Sequence, residues 1–226
     1  MPASVAVRVL GEGPAVMLVH GAVGPGPTWK AQEALAERWR LVLVTRRGFR
    51  PSPAAERQDF AADARDLEKL LTREPAHCVG FDYGAVGMLV AAGDAPELFR
   101  SLTLIEPPLL AGAPAGDDAG IAAGDDADIP TGNDVGVPTG HGAGEDHPRP
   151  ASEAEPDLAA VAAAGVPTLV LSGDHDPALE TACDTLGERL AAQRDRLPGA
   201  GQAVQRTPEF NRRLERFLFG AEIARL

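Results

Sequence analysis

The chain has 226 residues, enough for one domain with a sizeable core, and its 44% hydrophobic content excludes a disordered protein. Aromatics are only 4%, so aliphatic residues and glycine must do most of the packing. The net charge of −12 is no partner signature: ten acidic residues and one arginine fall in 111–156. The other 20 basic and 23 acidic residues form no basic run that would suit nucleic acid or an anionic membrane.

In chain order, apolar β-rich runs predict strands at Val5–Leu10, Ala15–His20, Arg40–Thr45, His77–Phe81, Ser101–Ile105, Thr168–Ser172 and, shorter, near Arg194–Leu197. Helical spacing of apolar residues predicts helices over Thr28–Trp39, Arg57–Arg73, Ala85–Ala92, Ala178–Ala191 and Pro208–Phe219, the last with Pro208 in its first turn. Such alternation argues for a mostly parallel sheet covered on both faces, in a single α/β domain over 1–226.

From about Leu110 to Pro156 the alternation stops. Octads start at Gly116, Gly124 and Gly132, with a worn fourth at Gly140, and each offers one or two aliphatics. That is too little apolar surface to offset the entropy of ordering, so 111–156 is expected to be a disordered acidic insertion. A calcium-binding β-helix is the sharper alternative, but its repeats are nonapeptides with paired glycines. No apolar run approaches the roughly 20 residues of a membrane span, and the N-terminus lacks a signal-peptide pattern. Cys78 and Cys183 have neither metal nor Cys-x-x-Cys spacing. The expectation is a cytoplasmic protein with reduced, buried thiols, no metal and no cofactor.

Several motifs then follow one another in a telling order. His20-Gly21-Ala22-Val23 ends the second strand, with Trp29 shortly after. Thr45-Arg46-Arg47-Gly48-Phe49 and Pro51-Ser52-Pro53 follow the third, and Gly80-Phe81-Asp82-Tyr83-Gly84 follows the fourth. Ser101–Pro108 makes a further strand and turn, Leu169–Pro177 another, and Gly199-Ala200-Gly201-Gln202 precedes the last helix. In this order they resemble the α/β-hydrolase family over nearly the whole chain outside 111–156. The resemblance implies that 80–84 is the G-x-S-x-G nucleophile elbow, whose glycines leave room for a sharp strand-to-helix turn. It also implies that the Ala22 N–H belongs to an oxyanion hole supported by His20 and Gly21, with Tyr83 and Trp29 beside the substrate. Asp176 then maps to the triad acid, and the insertion takes the place of the cap.

Two positions depart from the pattern. The elbow carries Asp82 in place of Ser, and Gln202 stands where the family has its general-base His. Asp at the elbow has precedents in haloalkane dehalogenases and epoxide hydrolases, where it attacks carbon and a histidine then activates water. A Gln amide takes no proton near neutral pH. The only tyrosine, Tyr83, sits in the elbow itself, which fits neither subfamily. Among the other histidines, His175 is expected to be a solvent-facing loop residue and His77 a structural or surface one. His141 and His147 fall in the acidic insertion.

The Gln202 amide has two N–H donors and could bond both Asp82 and Asp176. Two neighbouring carboxylates repel, so one should hold its proton. Such a trio suits proton-transfer chemistry on a small organic molecule: dehydration, isomerisation or cyclisation. A plainer reading makes Asp82 a stable replacement at a helix N-terminus in an inactive, ligand-binding pseudo-hydrolase. A third makes it the nucleophile of an unusual hydrolase.

Overall fold

The computed structural model describes residues 4–108 and 148–225, so all four octads lie outside the described residues. Seven strands form one sheet: β1 (Ala6–Leu10), β2 (Ala15–Val19), β3 (Arg40–Thr45), β4 (Ala76–Phe81), β5 (Phe99–Ile105), β6 (Thr168–Ser172) and β7 (Gln193–Arg196). Their order across the sheet is β1-β3-β2-β4-β5-β6-β7, and every described pairing is parallel except β1 with β3.

The side-chain period of two decides what each strand buries. In β2, Ala15, Met17 and Val19 face one layer of core while Val16 and Leu18 face the other. The first layer packs under α2 (Phe60–Leu71), α3 (Tyr83–Asp94), α4 (Leu158–Ala163) and α5 (Pro177–Arg189). The second lies under the segment from α1 (Pro25–Trp29) to Trp39 and under α6 (Pro208–Ile223). The architecture is thus α/β, a mostly parallel sheet with helices on both faces.

Helix starts follow local chemistry. Asp59 caps α2 by accepting from the Ala61 and Ala62 N–H groups, and Thr207 caps α6 through Phe210, one residue before Pro208. The predicted helix over Thr28–Trp39 is instead the short α1 followed by a tighter 3₁₀ turn, Lys30–Glu37. Inside that turn the buried Gln32 amide donates to Gln205 O (2.6 Å) and Asn211 Oδ1 (2.8 Å), so tertiary bonds outweigh helical spacing. Helix α4 was not expected: six Leu, Ala and Val residues directly after an acidic stretch give little periodicity to read.

The end of the supposed insertion also differs from expectation. Residues 148–156 pack on the domain: Arg149 N–H donates to Gln58 O (2.9 Å), and Ala154 is buried with Phe60, Tyr83 and Val86. Cys78 and Cys183 are both buried and unbridged. No described helix is long and apolar enough to cross a membrane.

Candidate active site

The C-terminal ends of β2, β4, β5 and β6 lie side by side, and the segments leaving them carry the chemistry. Asp82 leaves β4 with φ 51° and ψ −131°, a backbone shape that L-residues avoid. Its N–H donates to Ile105 O (2.9 Å), which fixes the turn to the neighbouring strand. Tight packing enforces the shape. A Cβ on Gly84 would lie 2.3 Å from His20 O, and one on Gly21 would lie 2.3 Å from Asp82 Oδ2.

One peptide unit faces the elbow. Its carbonyl, Gly21 O, accepts from Arg46 Nη1 (2.9 Å) and from His20 Nδ1–H (3.0 Å), while its N–H, on Ala22, donates to Asp82 Oδ2 (3.2 Å). His20 can serve only as the Nδ1–H tautomer, because its Nε2 accepts from the Arg46 N–H (3.1 Å). Burial, seconded by the Arg46 charge, lowers its pKa to about 3, so the ring stays neutral. Arg46 is itself buried and paired with Asp63 (2.8 Å), and its guanidinium lies 4.9 Å from the Tyr83 ring centre.

The Ala22 N–H, the donor assigned to an oxyanion, is therefore taken by the carboxyl of Asp82 itself. Burial raises the Asp82 pKa, and the Tyr83 and Ala22 N–H groups and Arg46 oppose that rise. The Tyr83 N–H does so without closing a capping hydrogen bond. Tyr83 points its hydroxyl away from this contact, donating to Arg149 O (2.9 Å) and Gln58 O (3.2 Å). Trp29 is wholly buried in the core layer under α6, so it packs in the core rather than beside a substrate.

The other two members of the expected trio stand apart from Asp82. Asp176 caps α5, its Oδ1 accepting from the Ala178 (2.8 Å) and Leu179 (3.1 Å) N–H groups. Gln202 is exposed, and no hydrogen bond joins it to Asp82 or Asp176. Its loop nonetheless runs close to the end of β6, since a Cβ on Gly173 would lie 2.0 Å from Gly201 O.

A different acid sits beside Asp82. Glu106 leaves β5 with φ 46° and is buried. Its Oε1 accepts from the Gly173 N–H (2.9 Å) and lies 3.3 Å from His175 Nδ1, so His175 is not simply a solvent-facing loop residue. Burial chiefly, and the charges of Glu180 and Asp82 as well, push the Glu106 pKa up to about 7. An acid directly after a buried strand, in Ile105-Glu106-Pro107, was the sequence signal for it. His77, by contrast, is structural: it is buried between Ser101 Oγ (2.8 Å) and Glu222 Oε1 (2.9 Å). Among the described residues, no group of three or more His, Cys, Asp or Glu is arranged to hold a metal ion.

A family model described as alpha/beta hydrolase fold matches residues 14–133. A 2-(acetamidomethylene)succinate hydrolase of Mesorhizobium japonicum is 30% identical over 105 residues, 44% of this chain and 38% of that protein. A pimeloyl-[acyl-carrier protein] methyl ester esterase of Methylococcus capsulatus is 33% identical over 100 residues, 44% of this chain and 39% of its own length. The chain thus matches about two-fifths of each relative. Among solved structures, a bromoperoxidase from Bacillus anthracis superposes with TM-score 0.71 at 20% identity, covering 95% of both chains. A carboxylesterase structure from Nitrososphaera gargenis gives TM-score 0.72 at 13% identity, covering 97% of this chain and 96% of its own. At those identities the superpositions speak for the fold alone.

Proposed function

This chain belongs to the α/β-hydrolase family, and from that premise we propose that it acts on a small organic molecule by proton transfer centred on Asp82. The reaction class is dehydration, isomerisation or cyclisation rather than ester hydrolysis. The observation that carries this reading is the bond from the Ala22 N–H to Asp82 Oδ2. A serine hydrolase needs that N–H free to meet the oxyanion of a tetrahedral intermediate. Here the donor holds a carboxylate in place. The relatives are named hydrolase and esterase, acting on small molecules, and a small substrate is what this chain keeps in common with them.

The chemistry follows from the environment. A carboxyl whose pKa burial has raised is a better base than an exposed aspartate, because it binds its proton more tightly. The backbone N–H groups and Arg46 oppose that rise. Asp176 and Gln202, which stand apart from Asp82, take no direct part in this reading. The substrate is expected to be neutral, since an anion would meet carboxyl groups.

The same bond suits a second reading. It holds Oδ2 and leaves Oδ1 to attack carbon, which would make Asp82 the nucleophile of an unusual hydrolase. One experiment separates the two. The protein is incubated in heavy water with a panel of small neutral carbonyl compounds, and products and intact protein are weighed by mass spectrometry. Proton transfer predicts deuterium entering the small molecule, with the protein mass unchanged, and loss of exchange in Asp82→Asn. A covalent adduct mapping to Asp82 supports the nucleophile. Robust ester hydrolysis that disappears in Asp82→Asn, without exchange, sinks the proton-transfer reading.

A further inference from the structure

Glu106 combines three features that a merely structural acid does not need. It sits in a left-handed backbone conformation, which strains a residue other than glycine. It is buried, and its Oε2 has no hydrogen-bond partner. It also lies at the strand end next to Asp82. A buried carboxyl oxygen without a partner is costly, and a site that tolerates one commonly gives it something to do.

The imidazole beside it is built into place. Glu180 accepts from the Asp174 N–H (3.0 Å) and from the Ser172 hydroxyl (2.7 Å), and Arg194 pairs with it, so the 172–175 turn is tied to α5 and β7. That turn carries His175 to Glu106 Oε1, with the His175 side chain 28% exposed and that of Glu106 3% exposed. The charged and titratable groups acting on Glu106 are Asp82 from the elbow, Glu180 from α5 and His175 from the turn.

We propose that Glu106 is the second acid–base group of this site, exchanging a proton with substrate through its unpartnered oxygen, and that His175 is the positioning residue that sets its charge. The proposal rests on the reading of Asp82 given above. The step starts from Asp82 as carboxylate and Glu106 as carboxylic acid. The Asp82 carboxylate takes a proton from a substrate C–H bond, whose electron pair becomes part of a new double bond. Glu106 delivers its proton to the substrate atom that receives the displaced pair. The product is an isomer, or an alkene and water when that atom is a leaving hydroxyl. The two carboxyls have then exchanged roles. Solvent restores them by taking one proton from Asp82 and returning one to Glu106, with no net gain or loss.

The test uses the full chain with ¹³C-labelled glutamate carboxyls and ¹⁵N-labelled histidines. One glutamate signal should titrate at about 7 and vanish in Glu106→Gln. In His175→Asn the same glutamate signal should titrate at a displaced pH, because the imidazole at 3.3 Å is gone. A Glu106 that titrates with the exposed glutamates overturns the proposal, as does a Glu106 curve unchanged in His175→Asn. Where the wild type exchanges deuterium into a substrate, Glu106→Gln should lower kcat about 100-fold or more with KM nearly unchanged. His175→Asn should displace the pH profile rather than abolish exchange. Exchange that needs Asp82 but ignores both substitutions overturns the pair and leaves the Asp82 reading standing. Coupled titration in a protein that exchanges nothing supports the pair and removes the Asp82 reading.

Discussion

The site has two halves that have fared differently. In the half built from β2 and β4, the strained backbone at Asp82, the close-packed glycines and the peptide between Gly21 and Ala22 meet at residue 82. In the half built from β6 and the loop before α6, the expected acid caps a helix and the expected base position is an exposed glutamine. The family model matches residues 14–133, in keeping with this division. The difference has a physical origin. Close backbone approach at the elbow admits only glycine, so the fold itself protects that geometry. The Gln202 side chain, exposed on the loop before α6, meets no such constraint.

The comparison breaks first if the elbow is loosely seated. Gly84→Ala places a methyl against the His20 and Val19 carbonyls and should cost about 3 kcal/mol. The melting temperature should fall by about 6–12 °C, measured calorimetrically. An unchanged melting temperature would show that the elbow yields easily.

Glu106 gives an effect of similar size and opposite sign, and it depends on pH. Its folded value, about 7, lies above the ordinary 4.5, so the folded state prefers the protonated acid. The cost of ionising it is absent below about pH 4.5, grows as pH rises, and is complete above about 7. Relative to wild type, Glu106→Gln should therefore gain little at pH 4 and up to about 3 kcal/mol at pH 8. Urea unfolding at both values measures this. A gain independent of pH would mean that Glu106 titrates as an ordinary carboxylate.

The smallest effects test the weaker half. Asp176→Ala removes an N-cap and should cost about 1 kcal/mol, while Gln202→Ala should stay within about 0.5 kcal/mol. The double variant should be additive within about 0.5 kcal/mol. A larger coupling energy would show that Gln202 and Asp176 do interact.

Much of this was legible in the sequence, and what was not has identifiable causes. Strands such as Arg40–Thr45 and Thr168–Ser172 are runs of apolar residues between clear breaks, and both begin and end as expected. The elbow could be read because its glycines are spaced by sterics that act within five residues. The contact of Glu106 with His175 joins residues 69 positions apart, and nothing local to either announces it. Asp176 was identified by its place after β6, but a sequence does not say whether a carboxylate turns to a neighbour or to its own helix. Here Pro177 begins α5 immediately after it, and the free N–H groups of the first turn claim the oxygen.

The hydroxyl of Tyr83 has a consequence for how this protein could be re-engineered. By bonding the carbonyls of Arg149 and Gln58, it fastens the chain's return after residue 147 to the residue beside the elbow. The described chain thus leaves the sheet at Pro108 and re-enters the domain beside the elbow at Pro148. A foreign segment spliced there would re-enter the domain at the same anchor, a hydrogen bond away from the site it is meant to modify.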